Sequence, residues 1–409
     1  MRVSLNKIIQ YIFSAFLLLG CESVYYQINP NFILISTLIS AILLIFTISN
    51  GHIIRISKKS ILWLGFYLLM VVTADFFVEN TSLFYFGRFY IAVPIFMFLC
   101  LRLDSCQKWE LLSVVESIIF FLAISSLLLW VLGPIMGVIK PTMGYYFEWG
   151  MNKHYEGFWG LLFTEKVQYK IILGTRIIRN ISIYPEGPFS SLVFLMGFVI
   201  YLLSERNKTS LFKIVIYILA IFSSLSTTGW CLCLIIVGVW RLKKFDKNYK
   251  SVAQRIFNRD LIIASLFAIV IYMFYTFISM KAIEDTENYL AHVMAFVYGF
   301  DLFKDNLIYG VGIGQSAKYG NTTSGFFKVM GDGGIVLSLI YLVPVIAIIF
   351  KTRIGKSNFK IFALTVFSFA LVVLVIYQYT LFYLFFVALE YSELLGMRVE
   401  STDEQALVS

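Results

Sequence analysis

Residues 112–133 read LSVVESIIFFLAISSLLLWVLG, a run with one acid, Glu116, and no base. A helix of about twenty such residues crosses the hydrocarbon of a bilayer. In lipid a helix satisfies its own backbone N–H and C=O groups, which an isolated strand does not. Outward from this block the pattern recurs at 8–27, 31–49, 61–78, 84–101, 189–204, 211–226, 228–240, 260–279, 333–350, 360–377 and 380–397. The first of these carries Glu22, and 228–240 is short and follows the tight turn Ser226-Thr227-Thr228-Gly229. Hydrophobic residues make up 59% of the 409 positions and charged ones 14%, too apolar a balance for a soluble domain. The expectation is an all-α polytopic membrane protein of about twelve transmembrane helices, with residues 1–409 forming a single integral membrane domain.

Charge orients the spans. With Arg2 and Lys7 in the cytoplasm, alternation puts most of the 33 basic residues on the same side. They sit in short segments around 50–60, 102–108, 206–213, 241–259, 351–360 and at Arg398, the positive-inside pattern. Both termini are then cytoplasmic. The net charge of +9 follows from topology and headgroup contact. The dense run at 241–259 needs no nucleic acid to explain it. Leu18-Leu19-Gly20-Cys21 has the form of a lipoprotein cleavage box, but a first membrane helix accounts for the same residues. The five cysteines give no disulfide framework, and Cys231 and Cys233, two apart on a helix, point to different faces.

This orientation leaves two long segments on the outer side, 134–188 and 280–332. The first is dense in aromatics: Tyr145, Tyr146, Phe147, Trp149, Tyr155, Phe158, Trp159 and Phe163. An aromatic belt lying on the headgroups is the plain reading, and stacking against sugar faces is the functional one. The segment closes with Lys166, Lys170, Arg176 and Arg179, then Tyr184-Pro185-Glu186-Gly187-Pro188 at the mouth of the next helix. Basic residues outside oppose the topology bias. Arginine presents a planar fork to phosphate oxygens, so a lipid-linked phosphate is one explanation and ordinary headgroups the other. The second segment holds His292 before Phe296, Phe300 and Phe303, then Gly310-Val311-Gly312-Ile313-Gly314. The glycines lie on the wrong side for a nucleotide, and their expected use is close backbone approach at the return to the membrane.

At these two segments the chain resembles the Wzy-type O-antigen polymerases, in the wider group that includes O-antigen ligases. Those proteins carry a basic loop ending in a pattern like Arg-x-x-Gly-x-Phe-x-Glu-Pro ahead of a helix. Here Arg179-Asn180-Ile181-Ser182-Ile183-Tyr184-Pro185-Glu186-Gly187-Pro188 keeps the acid seven residues after the arginine. Ser182 replaces the usual glycine, and Gly187 intervenes before Pro188. Arg176 and Gly187 fit the family's Arg-x10-Gly spacing. A second pattern runs from an arginine through a tryptophan four residues later to Gly-x-Gly-x-Gly. His292, Phe296 and Gly310, Gly312 and Gly314 occupy those places. The ligases' His-Asn pair is replaced by Asn321-Thr322-Thr323-Ser324, which favours polymerase over ligase.

The resemblance implies a metal-free glycosyltransferase, without cofactor, at the periplasmic face of the bacterial inner membrane. It moves a growing glycan from undecaprenyl diphosphate onto the next lipid-linked oligosaccharide repeat unit. Its partners are those repeat units, membrane lipid and a chain-length regulator protein. Arg176, Arg179 and Lys170 are the expected diphosphate contacts, with Arg179 also neutralising the leaving group. Either His292 or Glu186 takes the acceptor proton. Gly187, Gly310, Gly312 and Gly314 shape the loops, and no residue is assigned to a metal. The competing class is a transporter, either a polysaccharide flippase or a facilitator. Residues 50–60 lack the facilitator signature, and a flippase has no need of two large outer loops. A membrane scaffold needs no arginines at a defined mouth.

Overall fold

The structure is a computed structural model that describes residues 5–21, 23–29, 31–49, 110–147, 153–172, 174–204, 210–245, 286–312, 315–316 and 325–351, with isolated positions between 62 and 72. The expected spans at 84–101, 260–279, 360–377 and 380–397, and most of 61–78, lie outside the described residues. The chain divides into two compact units, Ile119–Val293 and Met1–Ile118 with Met294–Ser409.

The expectation of an all-α chain with about twelve transmembrane helices is corrected on two counts. The segment after the 112–133 block is built of β-strands. Among the described residues, moreover, one helix is long and apolar enough to cross a membrane, over Leu111–Ile135. The other apolar helices are interrupted or short. Helix α1 (Leu5–Leu19) stops at Gly20-Cys21, and α2 (Val24–Ile28) restarts under an N-cap in which the Ser23 hydroxyl accepts from the Tyr26 N–H. Helix α3 is Phe32–Ser49 and α4 is Glu110–Trp130. Helix α6 (Leu211–Ser223) has 13 residues, which at about 1.5 Å per residue is well short of the hydrocarbon thickness. Helix α7 (Thr227–Phe245) acquires Arg241, Lys243 and Lys244 in its last turns, so its apolar part ends at Gly238.

Within the unit 119–293, Pro134 ends α4. Its missing N–H widens the last turn into a π-turn, Val131–Ile135. Five strands follow. β1 (Met143–Phe147), β2 (Lys153–Phe158) and β3 (Leu162–Glu165) form an antiparallel sheet in that order, with Tyr145 opposite Tyr155 and Tyr155 opposite Glu165. β4 (Tyr169–Ile172) and β5 (Thr175–Ile178) make a separate hairpin. The aromatics read from sequence as a headgroup belt divide here. Tyr155, Phe158 and Phe163 are buried, while Tyr146 and Trp159 stay exposed. Phe158 and Leu162 pack on Leu129 and Trp130 at the end of α4, giving the sheet its own apolar core. Burial of that core is what holds strands in a segment with little helix propensity.

Helix α5 (Gly187–Ser204) packs against α6 and α7. At Gly197 an added Cβ would lie 2.5 Å from Ile119 Cγ2 and 3.0 Å from the Tyr217 ring, so the backbones approach more closely than any side chain would allow. Tyr217 and Phe198 are buried in that seam with ring centroids 5.8 Å apart.

The expected loop 280–332 contains a whole helix, α8 (Thr286–Asp305), within which the boundary between the two units falls, and the start of α9 (Gly325–Lys351). α9 breaks at Gly334, whose φ of 57° and ψ of −149° are not helical. The expected span 333–350 begins at that break rather than at the start of a helix.

Candidate functional site

The turn 179–186 links the β4–β5 hairpin to α5, and one side chain anchors it. Asn180 is fully buried. Its amide Nδ2 donates to Ser223 Oγ at 3.0 Å and to Ser126 Oγ at 3.4 Å, and its Oδ1 accepts from the Ser182 N–H at 3.1 Å. Its backbone N–H donates to the Ser223 carbonyl at 3.0 Å, and its carbonyl accepts from Ser190 Oγ at 3.1 Å. One residue thus ties the turn to α4, α5 and α6. The local Asx turn also holds Ser182 at φ 50°, a conformation costly for a residue with a Cβ. Asn180→Ala is expected to cost roughly 2–4 kcal/mol, because several buried partners lose their bonds together. An unchanged thermal midpoint of the purified variant in detergent would contradict this.

Gln168 supplies a second tie. Its carbonyl accepts from the Arg179 N–H at 3.0 Å. Its Nε2 donates to Glu165 Oε2 at 2.5 Å and to the Pro185 carbonyl at 2.7 Å. The Tyr155 hydroxyl donates to the same Pro185 carbonyl at 3.2 Å. Pro185 is therefore clamped, and Glu186 with it. The Glu186 carbonyl accepts from the N–H groups of Phe189 and Ser190, so Glu186 stands at the start of α5.

Arg179 lies across this start. A Cβ added to Gly187 would come 3.1 Å from Arg179 Cδ and 2.5 Å from the Ser224 carbonyl oxygen, which leaves glycine as the residue that fits. The Arg179 Nε is buried and makes no hydrogen bond. Burial pulls the guanidinium below its ordinary pKa, and the charge of Glu186 pulls it back up. Lys170 reaches the neighbouring turn from the hairpin. Its Nζ donates to Thr227 Oγ1 at 3.0 Å and lies 5.2 Å from the Trp230 ring centroid. Trp230 is itself stacked on Phe222 at 5.3 Å. Arg179 and Lys170 thus converge on the stretch Ser224–Thr227 between α6 and α7.

Arg176 does not join them. In the hairpin Lys170 pairs with Ile177, whereas Arg176 pairs with Ile171. Side chains alternate across a strand, so the two cations occupy opposite faces. The Arg176 guanidinium lies 3.6 Å over the Tyr169 ring and donates to the Lys166 carbonyl. Lys166 forms an ion pair with Glu156 at 2.6 Å. Of the three expected diphosphate contacts, the structure groups two and turns the third outward.

His292 lies in the first half of α8, inside a helix rather than ahead of one; its side chain and Gly314 lie outside the described residues. Gly310 and Gly312 have a definite task. The Val311 N–H donates to the Gly331 carbonyl and the Gly312 N–H to the Asp332 carbonyl, both at 2.9 Å. Past the break, the Ile335 and Val336 N–H groups donate to Leu307 and Ile308. The glycine string thus takes up backbone groups that α9 leaves open at Gly334. Asp332 is buried there, and its Oδ1 accepts from the Ser316 N–H at 3.0 Å.

Sequence reasoning missed Asn180, Gln168, Thr227 and Trp230, and read Tyr155 as a headgroup or sugar-stacking aromatic rather than a buried tie to Pro185. Each is ordinary in type and gains its place through partners about 15–60 positions away, to which no local spacing points. Among the described residues no group of three or more His, Cys, Asp or Glu is placed to hold a metal ion. No family model, curated protein or solved structure matches this chain.

Proposed function

We propose that this chain is a glycan polymerase of the Wzy type, integral to the bacterial inner membrane, working at its periplasmic face. It transfers the growing glycan from undecaprenyl diphosphate onto a lipid-linked repeat unit. The observation that carries the reading is Arg179, a desolvated guanidinium with an unpartnered Nε beside Glu186 at the start of a helix. Such a group suits the negative charge that develops on a departing diphosphate. In the reaction the acceptor hydroxyl oxygen forms a bond to the anomeric carbon. The bond from that carbon to the diphosphate oxygen breaks, and its electron pair leaves with the diphosphate. Glu186 or His292 takes the hydroxyl proton. Lys170 stands beside the same mouth and steadies the diphosphate before transfer.

Membrane residence is supported by apolar faces turned outward on several helices, such as Leu34, Leu38 and Ile45 on α3 and Leu211, Phe212 and Val215 on α6. On α4 the Ser117 and Ser125 hydroxyls donate to the carbonyls of Ser113 and Phe121, both at 2.8 Å, which suits polar groups facing lipid.

The test uses purified protein and a synthetic undecaprenyl-diphosphate-linked repeat unit. A ladder of carrier-linked products spaced by one repeat is expected. Substrate recovered at its original length, with translocation across proteoliposomes, would assign the chain to the flippases instead. Deletion in cells gives a matching contrast: single-repeat lipopolysaccharide for a polymerase, none for a flippase.

A further inference from the structure

The surface between α4 and α5 is apolar in an unexpected place. Met136, Val138, Val167 and Ile171 are each more than half exposed. Leaving such aliphatic groups in water costs about 25 cal/mol per Å². They continue a stripe on α4, where Phe121, Leu128, Val131 and Ile135 face outward at helical spacing. The hairpin is held at the level where α4 ends, since β5 packs on the π-turn and the Trp130 Nε1–H donates to the Ile178 carbonyl at 2.8 Å. Pairing register places Tyr169, Ile171, Arg176 and Ile178 on one face. That is the face opposite Lys170. Two cations are exposed beside these groups along the chain and the hairpin, Lys140 two residues after Val138 and Arg176 paired with Ile171.

An aliphatic patch edged by cations, at the end of the one described helix with the length and composition to cross a bilayer, matches the boundary between acyl chains and anionic headgroups. We propose that the outer face of the β4–β5 hairpin, with Met136 and Val138, docks on the anionic headgroup layer of the membrane that α4 enters. Tyr169 and the guanidinium stacked on it sit at headgroup level, and Val167 and Ile171 reach the top of the acyl chains. The surface is independent of the catalytic reading and holds whether or not the protein polymerises glycan.

The experiment places a spin label at Ile171→Cys in the full chain, with the five native cysteines replaced, in nanodiscs with and without phosphatidylglycerol. A label at Tyr146→Cys, on the other sheet, reports an aqueous position. In anionic discs oxygen is expected to relax the Ile171 label more than a nickel chelate does. Arg176→Glu should shift that ratio toward the value at position 146, because an anionic surface repels the reversed charge. Nickel access equal to that at position 146 overturns the proposal. So does shielding from both reagents, which would mark a protein partner or a second copy. Equal depth in purely zwitterionic discs overturns it as an anionic-lipid surface.

Discussion

Arg179→Ala is expected to lower polymer formation by roughly 10²–10³-fold while the protein accumulates to its normal level. The size follows from where the guanidinium lies. Its stem packs on Gly187 and its Nε is buried without a hydrogen bond, so water has already been removed from part of the group before any anion arrives. A charge-assisted contact made there is stronger than at an open surface. Removing the side chain strands no hydrogen-bonded partner at Nε, so folding should suffer far less than catalysis. Arg179→Lys keeps the charge but loses the fork, and is expected to recover only part of the rate. The measurement is the ladder assay, with protein quantified in the same membranes. Arg179→Ala within a few fold of wild type would remove Arg179 from the site. His292→Ala, compared alongside it, asks whether the second segment serves the same reaction.

Gly310→Ala should have a large effect on folding. The residue sits at φ 67°, where an alanine is strained by about 1–3 kcal/mol. An added Cβ would also lie 2.5 Å from the Asp332 carbonyl carbon and 2.5 Å from the Gly333 nitrogen, both backbone atoms that have no room to move. Overpacking of that kind typically adds a further 1–3 kcal/mol. A loss of roughly 2–6 kcal/mol is therefore expected, seen as a lower thermal midpoint in detergent and reduced yield. Gly65→Ala, where nothing lies within 4 Å of an added Cβ, serves as the silent control. Equal midpoints for the two variants would mean that the glycine string does not hold the α9 break.

How much of this was readable in the chain depends on the element. The edges of the first outer segment were legible, because Pro134 ends α4 and Gly187 begins α5 within a residue or two of where apolar periodicity changes. Its interior was not. Alternating Tyr, Phe and Trp suits a headgroup belt and a β-strand equally, and only the burial of Tyr155, Phe158 and Phe163, with Phe158 packed on the end of α4, decides between them. The start of α9 was hidden for the opposite reason. Gly331 reads as the end of a loop and Gly333 and Gly334 as the start of a span, yet Gly331 and Gly333 lie in helix ahead of the break because loop N–H groups satisfy the carbonyls around it. At the site, the presence of cations ahead of α5 was visible and their grouping was not. Arg179 and Lys170 converge through a hairpin register and a helix turn that no local pattern encodes.

That register turns chain length into an address. From Lys170 to Arg176 the hairpin sends one cation to the helix ends and the other to the opposite side by parity alone. A single residue inserted into β4 ahead of Lys170, with the pairing before it kept, would exchange inside for outside over the shifted stretch, although no residue type had changed. Two inserted residues would restore the assignment. In this stretch an even or odd count of residues therefore carries as much functional information as their identity, and related chains could drift far in composition while obeying it.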